Sequence, residues 1–272
     1  MKNNQANHTN RIFVVGNEKG GAGKTTCSMH LITGLLYNGH TVASIDTDSR
    51  QGSLTNYLKN RDNYNLKNPD NPVNAPQHFH LTESQEQVIG AKEENEKARF
   101  EQIIEQTKNA DYVVIDTPGS YSFLSRLAHS YADTVITPIN DSFLDFDVLG
   151  KVNADNLSII SPSIYSQMIW EQKMQKANRN GETINWIVMR NRLSNLDAVN
   201  KRKVSTALEQ LAKRISFKIA PGFSERVIFR ELFLQGLTLL DLTTANHGKT
   251  LSISHVAARQ ELRDFLNFLG VL

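Results

Sequence analysis

The apolar run Ile12, Phe13, Val14, Val15 leads directly into Asn17-Glu18-Lys19-Gly20-Gly21-Ala22-Gly23-Lys24-Thr25-Thr26, and then into the helical apolar spacing of Met29 to Leu36. A strand that breaks into three glycines and re-emerges as a helix admits few folds. The glycines let consecutive backbone N–H groups turn inward without Cβ collisions, and the helix behind them adds the positive end of its dipole. Such a turn cradles a phosphate. Lys24 is then placed to reach the β- and γ-phosphates of a nucleotide, and the Thr25 hydroxyl to ligate Mg²⁺. The candidate nucleotide contacts are Lys19, Gly20, Gly21, Ala22, Gly23, Lys24, Thr25 and Thr26. Against the usual G-x-x-x-x-G-K-[ST] pattern one position departs, because Glu18 stands where the first glycine belongs.

Two further apolar runs end in carboxylates. Thr41-Val42-Ala43-Ser44-Ile45 opens into Asp46-Thr47-Asp48-Ser49-Arg50-Gln51, and Tyr112-Val113-Val114-Ile115 into Asp116-Thr117-Pro118-Gly119. A parallel sheet delivers strand ends, and so these acids, to the edge where ligands sit. The expectation is a single α/β domain over residues 11–272, a mostly parallel twisted sheet with helices on both faces, preceded by a flexible polar tail at residues 1–10. That tail, MKNNQANHTN, has no apolar core for a signal peptide, and no later run is long enough to span a bilayer. With one cysteine, Cys27, in line with Leu31 and Leu35 as a core residue, a cytoplasmic protein is expected. A net charge of +2 names no partner.

The remaining elements follow from local pattern. Lys24 to about Tyr37 reads as a helix stopped by Asn38-Gly39. Asn60 to Gln77 reads as a long surface connection, Phe79 to Leu81 as a short strand, and Glu83 to Lys108 as a helix with Glu93, Glu94 and Glu96 on a solvated face. Ser122 to Ala132 is helical, Thr134 to Pro138 a strand, and Asp141 to Asp147 a structural or interface loop. Trp186 to Arg190 and Ile215 to Ala220 read as strands. A C-terminal helix from about Ile253 to Leu269 carries Val256, Leu262, Phe265, Leu266 and Leu269 on one side. There Arg259 and Arg263 are balanced by Glu261 and Asp264, which favours docking on the sheet over membrane binding.

Charge is unevenly spread. From Arg190 to Arg230 ten basic residues face three acids, a formal +7 against −5 for the remainder. Val204, Leu208, Leu211 and Ile215 form one helical core stripe, and Arg202 with Lys213, and Lys203 with Arg214, stack in rows away from it. Lys201, Arg202, Lys203, Lys213, Arg214, Lys218 and Arg226 are candidate contacts to a phosphate backbone, with no pattern for base readout.

KGGAGKTT, with a second lysine at Lys19, resembles the deviant Walker A motif of the ParA/MinD family of dimeric ATPases. IDTDSRQ and VIDTPG resemble that family's next two nucleotide motifs. TPINDSFLDFD, MRNRLS, IAPGF to RELF, GLTLLDL and HVAARQEL are together similar to its MipZ branch, so the likeness runs from Arg11 to the end of the chain. The resemblance implies roles. Asp48 positions the attacking water, Asp116 holds Mg²⁺ with Thr25 (Asp48 being the further metal candidate), Asn191 and Arg192 meet the adenine, and Pro221 lies near the base. Lys19 crosses to the partner's phosphates. The cofactors implied are ATP and Mg²⁺. The partners implied are a second ATP-loaded copy, nonspecific DNA, the centromere-binding protein ParB, and FtsZ, whose assembly is inhibited; no membrane is implied. The setting implied is a bacterial cytoplasm and nucleoid. The Asn-Lys-x-Asp signature of GTPases is absent, which favours ATP. A nitrogenase-like electron-transfer ATPase would need cysteine pairs, which one cysteine excludes. No second constellation serves a synthetase substrate. A ParA-type partitioning ATPase shares every nucleotide residue and is the alternative.

Overall fold

The computed structural model describes residues 10–153, 159–193, 198–242 and 253–272. Its main sheet has seven parallel strands in the order β3-β2-β4-β1-β5-β8-β9, with β1 Arg11–Val15, β2 Val42–Asp46, β3 Gln77–His80, β4 Tyr112–Asp116, β5 Thr134–Asn140, β8 Asn185–Asn191 and β9 Lys218–Ala220. A small antiparallel pair, β6 Gly150–Val152 and β7 Ile159–Pro162, stands apart.

Strand alternation divides the core. Ile12 and Val14 of β1 face one apolar cluster, with α3 (Ile89–Gln106), α4 (Phe123–Tyr131), α5 (Ile164–Asn180) and α6 (Ala198–Ile215). Phe13 and Val15 face the other, with α1 (Lys24–Tyr37), α2 (Ser53–Lys67), α7 (Ile228–Gln235) and α8 (Ile253–Leu269). Both faces are covered, as the near-continuous apolar strands require. Every strand therefore runs toward one edge, where the loops after β1, β2, β4 and β8 meet.

Much of the sequence reading stands. Cys27 and the stripe Val204, Leu208, Leu211, Ile215 are buried, and α1 stops at Tyr37 with Gly39 at φ +83°. Four readings are corrected. Asn60 to Lys67 is the second half of α2, not connection: Leu54, Tyr57, Leu58 and Arg61 are buried at helical spacing, and that packing outweighs the weak propensity of its asparagines. Ile215 closes α6 rather than opening a strand, because Ser216 turns at φ +59° and β9 starts at Lys218. Glu96 is buried and accepts the Ser84 N–H at 2.9 Å, so it ties the preceding loop to α3 instead of facing solvent. On α8, Val256 is exposed while Ala258 takes the inward place, and Glu261 serves Ser224 and Arg226 rather than its own helix's arginines.

Candidate nucleotide site

The loop after β1 is held from below. Asn17 donates to the Pro138 carbonyl and accepts the Lys19 N–H at 2.7 Å. Gly21 and Gly23 take φ of +75° and +90°, conformations that a Cβ would strain. At Gly23 a Cβ would also meet Asn191 Nδ2 at 2.0 Å. That approach has a use: Asn191 Nδ2 donates to the Ala22 carbonyl at 2.9 Å, so the end of β8 braces the loop. Its Oδ1 takes the Arg192 N–H. One amide hydrogen and one lone pair remain for a base edge.

The three carboxylates behave differently. Asp116, buried at the end of β4, accepts from Thr25 Oγ1 at 2.8 Å and Ser28 Oγ at 3.0 Å. Burial, reinforced by the nearby Asp46 charge, pushes its carboxyl up to about 7. Asp46 is fully consumed by structure: it accepts the N–H of Asp48 and both the N–H and hydroxyl of Thr55. Asp48 stays half-buried on the cleft wall, its Oδ1 accepting the N–H groups of Arg50 and Gln51. Lys24 Nζ donates to the Lys19 carbonyl at 3.0 Å; burial lowers its pKa, while the charges of Asp116 and Asp48 oppose that shift. Glu18, where the first glycine would stand, has a buried Oε1 without a partner, and burial raises its pKa.

Two adjoining cavities share Gly23, Thr26, Arg192 and Phe233. The larger, about 450 Å³, lies over the loop between Lys24, Thr25, Asp48, Asp116 and Thr117 to Ser120. It has N–H groups, a lysine and hard oxygen donors, a set that suits polyphosphate and Mg²⁺. Thr25 and Asp116, already in contact, fit such an ion. The other cavity, about 370 Å³, runs past Asn191 to Ser224, Glu225, Phe229 and Arg230; Phe229, Phe233 and Leu234 give it an apolar side on which a base could stack.

The placement of the expected residues is mixed. Gly20, Gly21, Gly23, Lys24, Thr25, Thr26, Asp48, Asp116, Asn191 and Arg192 converge on one cleft, whereas Lys19 and Ala22 do not line it: Ala22 is buried beneath the loop and the Lys19 side chain turns to Asp145. Pro221 does not line it; the chain reaches the base cavity three residues later, at Ser224, after Phe223 N–H bonds the Arg190 carbonyl. Arg226 is not part of a helical basic ridge. It lines the base cavity and pairs with Glu261 at 2.7 Å. Lys213, Arg214 and Lys218 are exposed, while the side chains of Lys201, Arg202 and Lys203 lie outside the described residues. Phe229, Phe233 and Arg50 were not foreseen. The i, i+4 pair of phenylalanines was the available signal. Nor was Asp145 foreseen, which receives Lys19 Nζ at 3.0 Å.

Among the described residues no helix is long and apolar enough to cross a membrane. A family model described as ATPase MipZ matches residues 11–271. Sporulation initiation inhibitor protein Soj of Bacillus subtilis is 28% identical over 160 residues, 52% of this chain and 63% of that protein's length. Among solved structures, a variant of McdA from Cyanothece in complex with ATP superposes with a TM-score of 0.60 at 16% identity, covering 98% of each chain. The septum site-determining protein MinD of Pyrococcus horikoshii with Mg-ADP gives 0.57 at 16%, covering 96% and 98%. A plasmid partition protein of Borrelia burgdorferi bound to AMPPNP gives 0.57 at 15%, covering 97% and 100%. These structures share the fold.

Proposed function

Because this chain belongs to the MipZ family of ATPases, we propose that it is an ATP-dependent dimerisation switch that positions the division site. In this reading two ATP-loaded copies close face to face, and slow hydrolysis of ATP to ADP and phosphate resets them. The observation that carries it is Lys19. Its side chain is 38% exposed and turned to Asp145, outside the lining of the phosphate cavity, where Lys24 already supplies the internal cation. A second lysine, held at the surface of a phosphate loop, serves best across an interface.

Within each copy the loop N–H groups and Lys24 bind the β- and γ-phosphates, and Thr25 and Asp116 hold Mg²⁺. When bound, that ion neutralises charge on the phosphate oxygens. Asp48 would orient a water toward the γ-phosphorus; the water oxygen bonds to phosphorus as the bond to the ADP oxygen breaks, the electron pair leaves on ADP, and the water's proton passes to the departing phosphate. Thr117 to Gly119 sense the γ-phosphate. Asn191 and Arg192 flank the adenine.

The closed dimer would hold nonspecific DNA through the basic residues Lys201, Arg202, Lys203, Lys213, Arg214 and Lys218. It would be recruited by ParB and would block FtsZ assembly, in the cytoplasm and on the nucleoid of a bacterium. The match to Soj supports a second reading, a ParA-type partitioning ATPase. Sedimentation with a non-hydrolysable ATP analogue, with and without DNA, tests the switch: a dimer that forms only with the analogue and then shifts DNA is expected. A chain that stays monomeric with the analogue ends the proposal. Suppression of FtsZ assembly under the same conditions separates the two readings.

A further inference from the structure

Five arginines pair with acids, Arg61 with Asp241, Arg126 with Glu93, Arg190 with Asp141, Arg226 with Glu261 and Arg230 with Glu225, and Arg11, Arg99 and Arg179 donate to backbone carbonyls. Among the described residues Arg259 and Arg263 on α8 have no acidic partner, and Nε of Arg259 is buried with nothing to receive its hydrogen. The acids of their own helix are committed elsewhere, Glu261 to Ser224 and Arg226, Asp264 to Gln260. An orphaned, partly desolvated cation costs free energy unless something supplies an anion.

Both arginines open on a cavity of about 220 Å³, lined otherwise by Gly34, Tyr37, Asn38, Leu240, Leu266 and Leu272. It lies at the C-terminal end of α1, roughly 20 Å along that helix from the phosphate loop. Leu240 and Arg259 come from GLTLLDL and HVAARQEL, segments whose sequence pattern the nucleotide cleft leaves largely unused. The cavity wall is aliphatic and aromatic, and the apolar surface continues over Val256, one turn from Arg259, and Leu272, both more than half exposed.

We propose that this cavity is a second binding site, for an acidic peptide segment of a protein partner. It seats an aliphatic or aromatic side chain, and it sets carboxylates against Arg259 and Arg263. The arginines stand at i and i+4, about 5–6 Å apart at Cβ, each a planar fork that matches a carboxylate. The carbonyl end of α1 carries roughly half a negative charge beside them, which partly compensates the arginines and opposes a phosphate dianion more than a singly charged carboxylate. With Arg259 and Arg263 set against Glu261 and Asp264, the helix has no net positive charge to hold an anionic bilayer. The apolar rim beyond the cavity is surface that a small free acid would leave uncovered.

The test is a titration of isotope-labelled protein followed by the arginine Nε–Hε resonances. The probe is an N-acetylated, C-amidated hexapeptide of alternating Asp and Leu, with sodium hexanoate and inorganic phosphate as separate arms. Shifts at Arg259, Arg263 and the Leu266 methyls are expected with the peptide, at least about tenfold weaker binding with hexanoate, and none with phosphate. Arg263→Gln, at an exposed position, and Arg259→Gln should each weaken the peptide about tenfold. A non-hydrolysable ATP analogue should not displace it. The proposal is overturned by silence at about 10 mM peptide, by unchanged affinity in both variants, by hexanoate or phosphate binding as tightly as the peptide, or by displacement with the analogue.

Discussion

Lys19 Nζ lies 3.0 Å from Asp145 Oδ1, so the phosphate loop after β1 is tied to the turn after β5 by a partly exposed ion pair. Asp145 is well anchored, since its Oδ2 accepts the Asn140 N–H at 3.1 Å. The lysine proposed to cross to a second copy is therefore held by its own chain, and closure must exchange one anion for another.

Asp145→Asn keeps the shape of that turn and removes the charge. A half-exposed pair is worth about 0.5–1 kcal/mol and a symmetric dimer breaks two, so ATP-dependent dimers should tighten roughly five- to thirtyfold in analytical ultracentrifugation. Lys19→Ala should bind nucleotide as a monomer and form no dimer. Wild-type dimer levels in that variant would refute the crossing lysine.

Asp48→Ala should slow ATP turnover about 100-fold, the scale of a lost water-positioning group, while dimers accumulate in light scattering. Unchanged phosphate release would remove Asp48 from the attack.

Proton and metal compete at Asp116. With its carboxyl pushed up to about 7 by burial, the neutral form dominates below that pH, and only the carboxylate suits Mg²⁺. Mg-nucleotide affinity should therefore fall about tenfold per pH unit below 7 and level off above it. Asp116→Asn should flatten this profile in calorimetric titrations from pH 5.5 to 8.5. A profile that is already flat in the parent chain would contradict the assignment.

Arg61 and Asp241 form a fully buried bidentate pair, with distances of 2.9 and 2.8 Å, joining α2 to the segment after α7. The arginine also donates to the carbonyls of Asn74 and Gly236. Arg61→Met leaves the aspartate uncompensated in the interior, at a cost of about 3–5 kcal/mol. Urea denaturation should show that loss, and an Arg61→Met, Asp241→Leu double variant should recover much of it.

The cleft was legible to the extent that it is local. Strand, glycine turn and helix are consecutive in the chain, and so are the strand ends that deliver Asp48 and Asp116; short-range sterics and apolar periodicity suffice for them. The α2 helix is not legible because its asparagine-rich half is a poor helix by propensity, and contacts with distant segments stabilise it: Leu54, Tyr57, Leu58 and Arg61 are buried, and Asn60 and Asn65 bond Phe233 and Val73. Arg226 was assigned to a basic surface because charge along a chain does not say which acid will meet it in space.

By itself, then, the amino-acid order determined a parallel α/β domain with a glycine-rich loop after its first strand and carboxylates at the neighbouring strand ends, since those depend on backbone freedom and neighbours a few positions away. Tertiary structure alone decided which charges are spent and which are left over. Asp145 reaches Lys19 across 126 positions, and Glu261 reaches Arg226 across 35, which leaves Arg259 and Arg263 without an acid among the described residues. Ion pairing is settled by distance in space, which sequence separation does not encode.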